Sequence, residues 1–269
     1  MSLKIIVLAK QVPDTRNVGP DAMTPEGTVN RAALPAVFNP EDLNALEQAL
    51  RLKDANPGST ITMLTMGLPK AAEVLKEGIY RGADEGILIS DRPLGGADTL
   101  ATSYTLAQAI KKVGDYDIIL CGRQAIDGDT AQVGPQVAEK LGLTQITYTE
   151  EIISLDKAAK KIVAKRHIDG GVETVEGPLP IVVTVNGSAA PCRVRNVKRV
   201  WANKNREFTT WGAADIEADP AQIGKAGSPT NVKAVKSIVF KAKENKTLTS
   251  SDADVESLIV ELMESNTIG

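Results

Sequence analysis

The run from Gly122 to Pro135, Gly-Arg-Gln-Ala-Ile-Asp-Gly-Asp-Thr-Ala-Gln-Val-Gly-Pro, carries residue types suited to holding an anion rather than to acid–base work. Gly122 and Gly128 allow unusual backbone angles and close approach of a ligand. An apolar run from Tyr116 to Cys121 precedes the segment, and a helical pattern through Gln136, Val137 and Leu141 follows it until Gly142. The segment therefore leads off a strand into a helix. Asp129 is placed to cap that helix, which puts the amides of Asp129, Thr130, Ala131, Gln132 and Val133 in the cap and first turn, facing outward toward a phosphate. Thr130 and Gln132 add donors, and Arg123 adds a positive charge. No lysine follows a Gly-x-x-x-x-Gly pattern, and Gly-x-Gly-x-x-Gly is also absent, so this is neither a P-loop nor the common dinucleotide fingerprint. On residue chemistry alone, a capped helix with Asp127 and Asp129 solvated remains an alternative.

The elements that must position this loop alternate regularly. Short apolar runs at Lys4 to Ala9, Thr60 to Thr65, Gly86 to Ser90 and Tyr116 to Cys121 read as buried parallel strands. Between them, Asp42 to Lys53, Pro69 to Tyr80 and Asp98 to Lys112 have helical spacing, which predicts an α/β fold with a doubly wound parallel sheet. Such sheets bind ligands at the carboxyl ends of their strands, where strand order reverses. Leu8, Ala9 and Lys10 follow the first strand, and Met66 and Gly67 follow the second. Small residues there let a flat adenine lie against the backbone, so the whole predicts an adenine nucleotide with its diphosphate on the Gly122 loop.

Further along, Ile162 to Arg166, Val172 to Glu176 and Ile181 to Val185 read as shorter strands, the first two joined by an Asp169-Gly170-Gly171 turn. They are expected to extend the sheet or to add a small antiparallel piece. After Asn186 the pattern changes to a basic stretch, Arg193 to Arg206, with Trp201 nearby, and then to Asp215–Thr230, which reads as an extended arm. A final helix is expected from Ser251 to Met263, with Val255, Leu258, Ile259 and Leu262 on one face. We expect two parts: 1–190, binding the nucleotide, and 191–269, a recognition loop and C-terminal arm.

Composition narrows the function classes. A formal net charge of −3 gives no global case for binding nucleic acid, which needs a basic surface to displace counterions. No stretch has the apolar length of a membrane span, and the N-terminal apolar run is too short for a signal peptide. Two well-separated cysteines, Cys121 and Cys192, and one histidine, His167, argue against zinc or a histidine triad and for a reducing cytosol. His167 is expected to be an exposed or packed strand residue, and Cys121 a small buried hydrophobe.

The loop from Gly122 to Pro135 resembles the nucleotide loop of the electron transfer flavoprotein beta subunit, the EtfB/FixA family. A second motif agrees independently: Ala164-Lys165-Arg166-His167-Ile168-Asp169-Gly170-Gly171-Val172-Glu173-Thr174-Val175, continuing to Pro180-Ile181-Val182-Val183-Thr184, matches the family signature. Asn39-Pro40-Glu41-Asp42, Arg81-Gly82-Ala83-Asp84 and Gly227-Ser228-Pro229-Thr230 resemble family segments in the same order, so the likeness spans nearly the whole chain.

The resemblance implies an adenine nucleotide alpha hydrolase-like sheet in a heterodimer whose alpha subunit carries an FAD. The beta site holds AMP in respiratory members and a second FAD in electron-bifurcating ones, where that flavin takes hydride from NADH. Gly128-Asp129-Thr130-Ala131-Gln132-Val133-Gly134-Pro135 is similar to the bifurcating form, which favours FAD over AMP. Carried across by position, Leu8 or Ala9 lies near the adenine, Asn39, Pro40, Glu41 and Asp42 on the ribose side, and Met66 beside the base. Gly122, Arg123, Gln124, Ala125, Ile126, Asp127, Gly128, Asp129, Thr130, Ala131, Gln132 and Val133 surround the diphosphate.

The same resemblance implies electron delivery to a ferredoxin or flavodoxin and, through the alpha-subunit FAD, to an acyl-CoA or related dehydrogenase or reductase. The basic stretch falls where the family docks on such partners, with Val194 or Val197 as the apolar anchor. Pro191-Cys192-Arg193-Val194-Arg195-Asn196-Val197 departs from the family's common Pro-Arg-Tyr pattern there, which leaves the partner's identity open. A stand-alone adenine-nucleotide module without redox function is a third reading, against which the long segment after Asn186 speaks.

Overall fold

A computed structural model describes residues 1–14, 35–230 and 245–268. The chain divides into two units, Met1–Ala234 and Val235–Gly269, which are described separately.

In the first unit the order is β1 (Lys4–Leu8), β2 (Gln11–Pro13), β3 (Ala36–Phe38), α1 (Pro40–Ala55), β4 (Thr60–Met66), α2 (Ala72–Arg81), β5 (Glu85–Ile89), α3 (Thr99–Val113), β6 (Ile118–Gly122) and α4 (Val133–Leu141). Then come β7 (Thr144–Asp156), β8 (Lys161–Ile168), β9 (Gly171–Pro178), β10 (Ile181–Val185), α5 (Val197–Asn203) and β11 (Thr209–Trp211). The main sheet has nine strands in the order β11-β5-β4-β1-β6-β10-β7-β8-β9. It is parallel from β11 to β7 and antiparallel from β7 to β9.

Alternation along each strand divides the core into two layers, the expected doubly wound arrangement. Ile5 and Val7 pack with Leu46 and Leu50 of α1 and with Leu75 and Ile79 of α2. Ile6 and Leu8 pack with Leu106 and Ile110 of α3 and with Val137 of α4. Because helices cover both faces, the central strands have no polar side to show, which is why β6 and β10 are buried at every position. After β1 the chain builds outward through β4 and β5, then crosses back to place β6 on the other side of β1. The strand order thus reverses between β1 and β6.

Several expectations are corrected. The 13-residue β7 has no counterpart in the apolar-run reading, because its polar, half-exposed sequence TQITYTEEIISLD has no continuous apolar stretch. Its first half pairs parallel with β10 and its second half antiparallel with β8, across register shifts. The three shorter strands therefore do both things expected of them: β10 enters the parallel sheet, while β8 and β9 form the antiparallel addition.

Residues 215–230 are not an extended arm. Ile216 and Ile223 are buried against the α3 side of the core, and the segment turns back on the loop before α3. The Lys225 amide donates to the Gly95 carbonyl, and Ser228 Oγ accepts from the Asp98 amide. Gly224 sits in the left-handed region at φ 52°, where a Cβ would lie 1.9 Å from the Pro93 carbonyl oxygen.

The basic residues before it also have specific partners. Arg193 reaches Glu47 and Asp54, Arg195 reaches Glu77, and Arg206 reaches Glu85. Arg199 donates to the Ile79 carbonyl at 2.7 Å and to the Ala83 carbonyl, a cation on the C-terminal end of α2.

The second unit contains α6 (Asp252–Glu264), capped by Ser251, whose Oγ accepts from the Asp254 amide. Val255, Leu258 and Ile259 are exposed along it. No helix among the described residues is long and apolar enough to cross a membrane.

Candidate nucleotide site

The carboxyl ends of β5, β4, β1 and β6 open into a cleft of about 990 Å³ that straddles the reversal point. Fifteen of the expected contacts meet there: Leu8, Ala9, Asn39, Asp42, Met66, Gly122, Arg123, Gln124, Ala125 and the six residues from Gly128 to Val133. Pro40, Glu41, Ile126 and Asp127 do not line it. Pro40 begins α1, Glu41 supports the loop through Arg123 and Gln124, and Ile126 and Asp127 are loop residues held by Asn39 and by Lys10 Nζ.

That support is built from Asn39–Asp42. The buried Asn39 amide donates to the Gln124 carbonyl at 2.8 Å, and its oxygen accepts from the Ile126 amide at 3.2 Å. Glu41 accepts from the Gln124 amide and from the Arg123 guanidinium, both at 2.9 Å. Asp42 accepts from the Gly122 amide with one oxygen and from the Lys10 amide with the other, both at 2.8 Å. One carboxylate thus ties the tip of β6 to the tip of β1. Burial pushes its pKa up to about 7, against the pull of these amides and the Asn39 side chain, with Glu41 adding to the rise. Asn39-Pro40-Glu41-Asp42 is therefore a clamp that shapes the loop from behind.

The loop itself differs from its expected form. Neither Gly122 nor Gly128 has a left-handed backbone; Asp129 (φ 48°) and Ala131 (φ 52°) do. Gly122 is required by close approach, since a Cβ would lie 2.6 Å from Asp42 Oδ1 and 2.8 Å from the Asp42 nitrogen. α4 begins at Val133, so Asp129 does not cap it; its carboxylate accepts from Gln124 Nε2 at 2.8 Å instead. The N-cap is Gln132, whose side chain bonds Thr99 Oγ1 at 2.8 Å rather than the helix. Left-handed Ala131 is followed by right-handed Gln132 (φ −100°, ψ −32°). Such alternation turns successive amides toward one concave side, an anion-binding nest at the start of the helix.

The cations here are mostly neutralised. Arg123 pairs with Glu41, stacks 5.3 Å from the Tyr148 ring and is held further above the usual guanidinium range by Glu41. Lys10 pairs with Asp127 at 2.7 Å. Cys121 is buried at the cleft floor, and burial pushes its thiol far above the usual range, so it is no nucleophile. His167 lies half-exposed on β8, 3.4 Å from Glu150.

A further wall was absent from the sequence reading. The β5–α3 loop, including Ser90, Arg92, Leu94 and Asp98, lines the cleft opposite the Gly122 loop. The available signal was the tip of β5 itself, a strand carboxyl end like the other three, followed by Gly95-Gly96 and by Asp98, which caps α3 through the Leu100 and Ala101 amides.

Comparison with known sequences gives the chain's family. The electron transfer flavoprotein domain family matches residues 26–216. The electron transfer flavoprotein subunit beta of Megasphaera elsdenii is 46% identical over 239 residues, 87% of each chain.

This chain belongs to the electron transfer flavoprotein beta-subunit family.

Other members of the family are similarly near. The caffeyl-CoA reductase–Etf complex subunit CarD of Acetobacterium woodii is 46% identical over 230 residues, 86% of each chain. Protein FixA of Azorhizobium caulinodans is 38% identical over 266 residues, 97% of this chain and 94% of the relative. Relatives named as electron transfer flavoprotein beta subunits, reductase–Etf subunits or FixA proteins thus match this chain over 86% or more of its length.

Proposed function

We propose that this chain is the beta subunit of an electron-bifurcating flavoprotein, which holds FAD in the cleft and takes hydride from NADH. One electron then goes to a ferredoxin or flavodoxin, and the other, through the FAD of an alpha subunit, to a dehydrogenase or reductase. The observation that carries the choice of FAD over AMP is the reach of the cleft. It crosses four strand tips, three strand spacings or roughly 14 Å, and its volume of about 990 Å³ stands at the upper end for small-molecule sites. A mononucleotide on the Gly122 loop leaves the β4 and β5 side unfilled.

The residues fit the group at each part. The Ala131–Gln132 nest and the first turn of α4 receive the diphosphate. Leu8, Ala9 and Met66 give the adenine an apolar bed beside backbone groups. The clamp holds the loop in its binding shape before the ligand arrives, which lowers the ordering cost of binding. With Arg123 and Lys10 already paired, the diphosphate is held chiefly by amides. Bound FAD supplies hydride acceptance and one-electron release, chemistry that the surrounding side chains do not provide.

The name of the Acetobacterium relative, a subunit of a reductase–Etf complex, supports a CoA-thioester reductase as the partner class. Val194 and Val197, 84% and 82% exposed, stand beside Trp201, 75% exposed, on a segment fixed to the unit by Arg193 and Arg199. We assign that patch to partner docking, and the exposed stripe of α6 to the alpha subunit, in a cytoplasmic heterodimer. Extracting cofactors from the purified heterodimer tests the reading. Two flavins per heterodimer is the expected result, whereas one flavin and one AMP would sink it.

A further inference from the structure

Among the described residues, three cationic side chains line the cleft: Lys10, Arg92 and Arg123. Lys10 is paired with Asp127 and Arg123 with Glu41. The Arg92 guanidinium alone has no partner among the described residues, and it lies at the β5 end of the row of strand tips, away from the Gly122 loop. The cleft is therefore electrostatically asymmetric. Its loop end offers amides and neutralised cations. At its β5 end the Asp91 and Asp98 carboxylates also line the wall, but their oxygens accept from the Arg92, Ala213, Leu100, Ala101 and Thr230 amides. Among the described residues this leaves the Arg92 guanidinium to meet a ligand at the exposed mouth.

That charge stands on a constructed support. Asp91 caps the short turn that carries Arg92, accepting from the Arg92 amide with one oxygen and from the Ala213 amide with the other. Next to it, Gly224 fits against the Pro93 carbonyl, the Lys225 amide bonds the Gly95 carbonyl, and Ser228 bonds the Asp98 amide. Thr230 closes the set with its hydroxyl on Asp98 at 2.7 Å. Residues 213–230 thus buttress the Arg92 loop. This is the structural work of Gly227-Ser228-Pro229-Thr230, a segment for which the proposed electron route alone has no use.

We propose that Arg92 is a specificity-determining residue for the electron donor, contacting the phosphates of the pyridine dinucleotide as it docks on the exposed rim beside β5, outside the part of the cleft assigned to the FAD. The inference rests on the NADH-oxidising reading above and adds to it the residue that receives the donor. A resident nucleotide is served by a closed nest of amides, whereas a donor that must leave after each turnover is served by an exposed charge. Rim charges act mainly on association rate and its salt dependence, and an exposed ion pair is weak enough to release product.

The test uses the complete heterodimer and compares wild type with Arg92→Ala and Arg92→Lys, which change an exposed side chain and leave the buttress intact. We expect Arg92→Ala to keep the wild-type flavin content and kcat while raising KM for NADH about three- to fivefold, the loss of one exposed ion pair. We also expect kcat/KM to lose most of its dependence on ionic strength, and Arg92→Lys to restore that dependence in part. If the wild type oxidises NADH and Arg92→Ala has an unchanged KM and salt dependence, the inference is overturned while the flavin reading stands. A wild-type heterodimer that does not oxidise NADH overturns both.

Discussion

Asp42 illustrates how far one side chain's function depends on its surroundings. Its two oxygens accept from the amides of Lys10, just past β1, and Gly122, at the end of β6, yet among the described residues no cation pairs with it: Lys10 Nζ is held by Asp127 and Arg123 by Glu41, while Glu41 and Cys121 are titratable groups that interact with it. Its pKa of about 7 lies above the unfolded value near 3.8, so between those values the folded state keeps a proton that the unfolded chain has lost. Stability from this group is therefore greatest at low pH, declines as pH rises through that window, and levels off above about 7. The slope amounts to about 1.4 kcal/mol per pH unit at most. Urea unfolding of wild type and Asp42→Asn between pH 5 and 8 should show the wild type losing stability relative to the variant up to about pH 7. Parallel pH profiles would count against a protonated Asp42. An asparagine can also accept from only one of the two amides, so the variant should bind nucleotide more weakly at every pH.

Between elements, the decisive contact is the meeting of the β6 tip with the start of α1. Gly122 lies where a methyl group would press on the backbone of Asp42 and on Glu41, atoms that cannot rotate away. Gly122→Ala should therefore destabilise the protein by about 1–3 kcal/mol and lower nucleotide retention. Thermal unfolding and flavin content check this, and a variant equal to wild type in both would show that α1 can shift. The parallel strands and helices were readable because the central strands are continuous apolar runs and α3 has an aspartate cap followed by helical spacing. β7 was not, because a polar, half-exposed sequence becomes a strand only by pairing with β10 and β8. The start of α4 was misplaced for a related reason: Asp129 has the residue type of a cap, but the loop spends two left-handed residues before the helix begins at Val133.

For the whole molecule, the cleft at the strand tips and the exposed Val194–Trp201 segment are separate features of one unit, so the electron entry and partner docking proposed for them should be separable by mutation. Val194→Asp should leave flavin content and NADH oxidation at wild-type levels while reducing electron transfer to the partner reductase about tenfold or more, as expected for a charge placed in an apolar anchor. Steady-state transfer assays with the complete heterodimer decide this; an unimpaired variant would move the docking site elsewhere. The sequence by itself determined the doubly wound sheet, the family and the Gly122 side of the cleft, because apolar periodicity and contiguous motifs are local properties of a chain. Only the tertiary structure decided that Asn39-Pro40-Glu41-Asp42 braces the loop, that residues 215–230 fold back as a buttress, and that Arg92 lines the cleft with no counter-charge bonded to it among the described residues. Those facts depend on pairings between residues as far apart as Asp98 and Thr230, which sequence spacing does not encode.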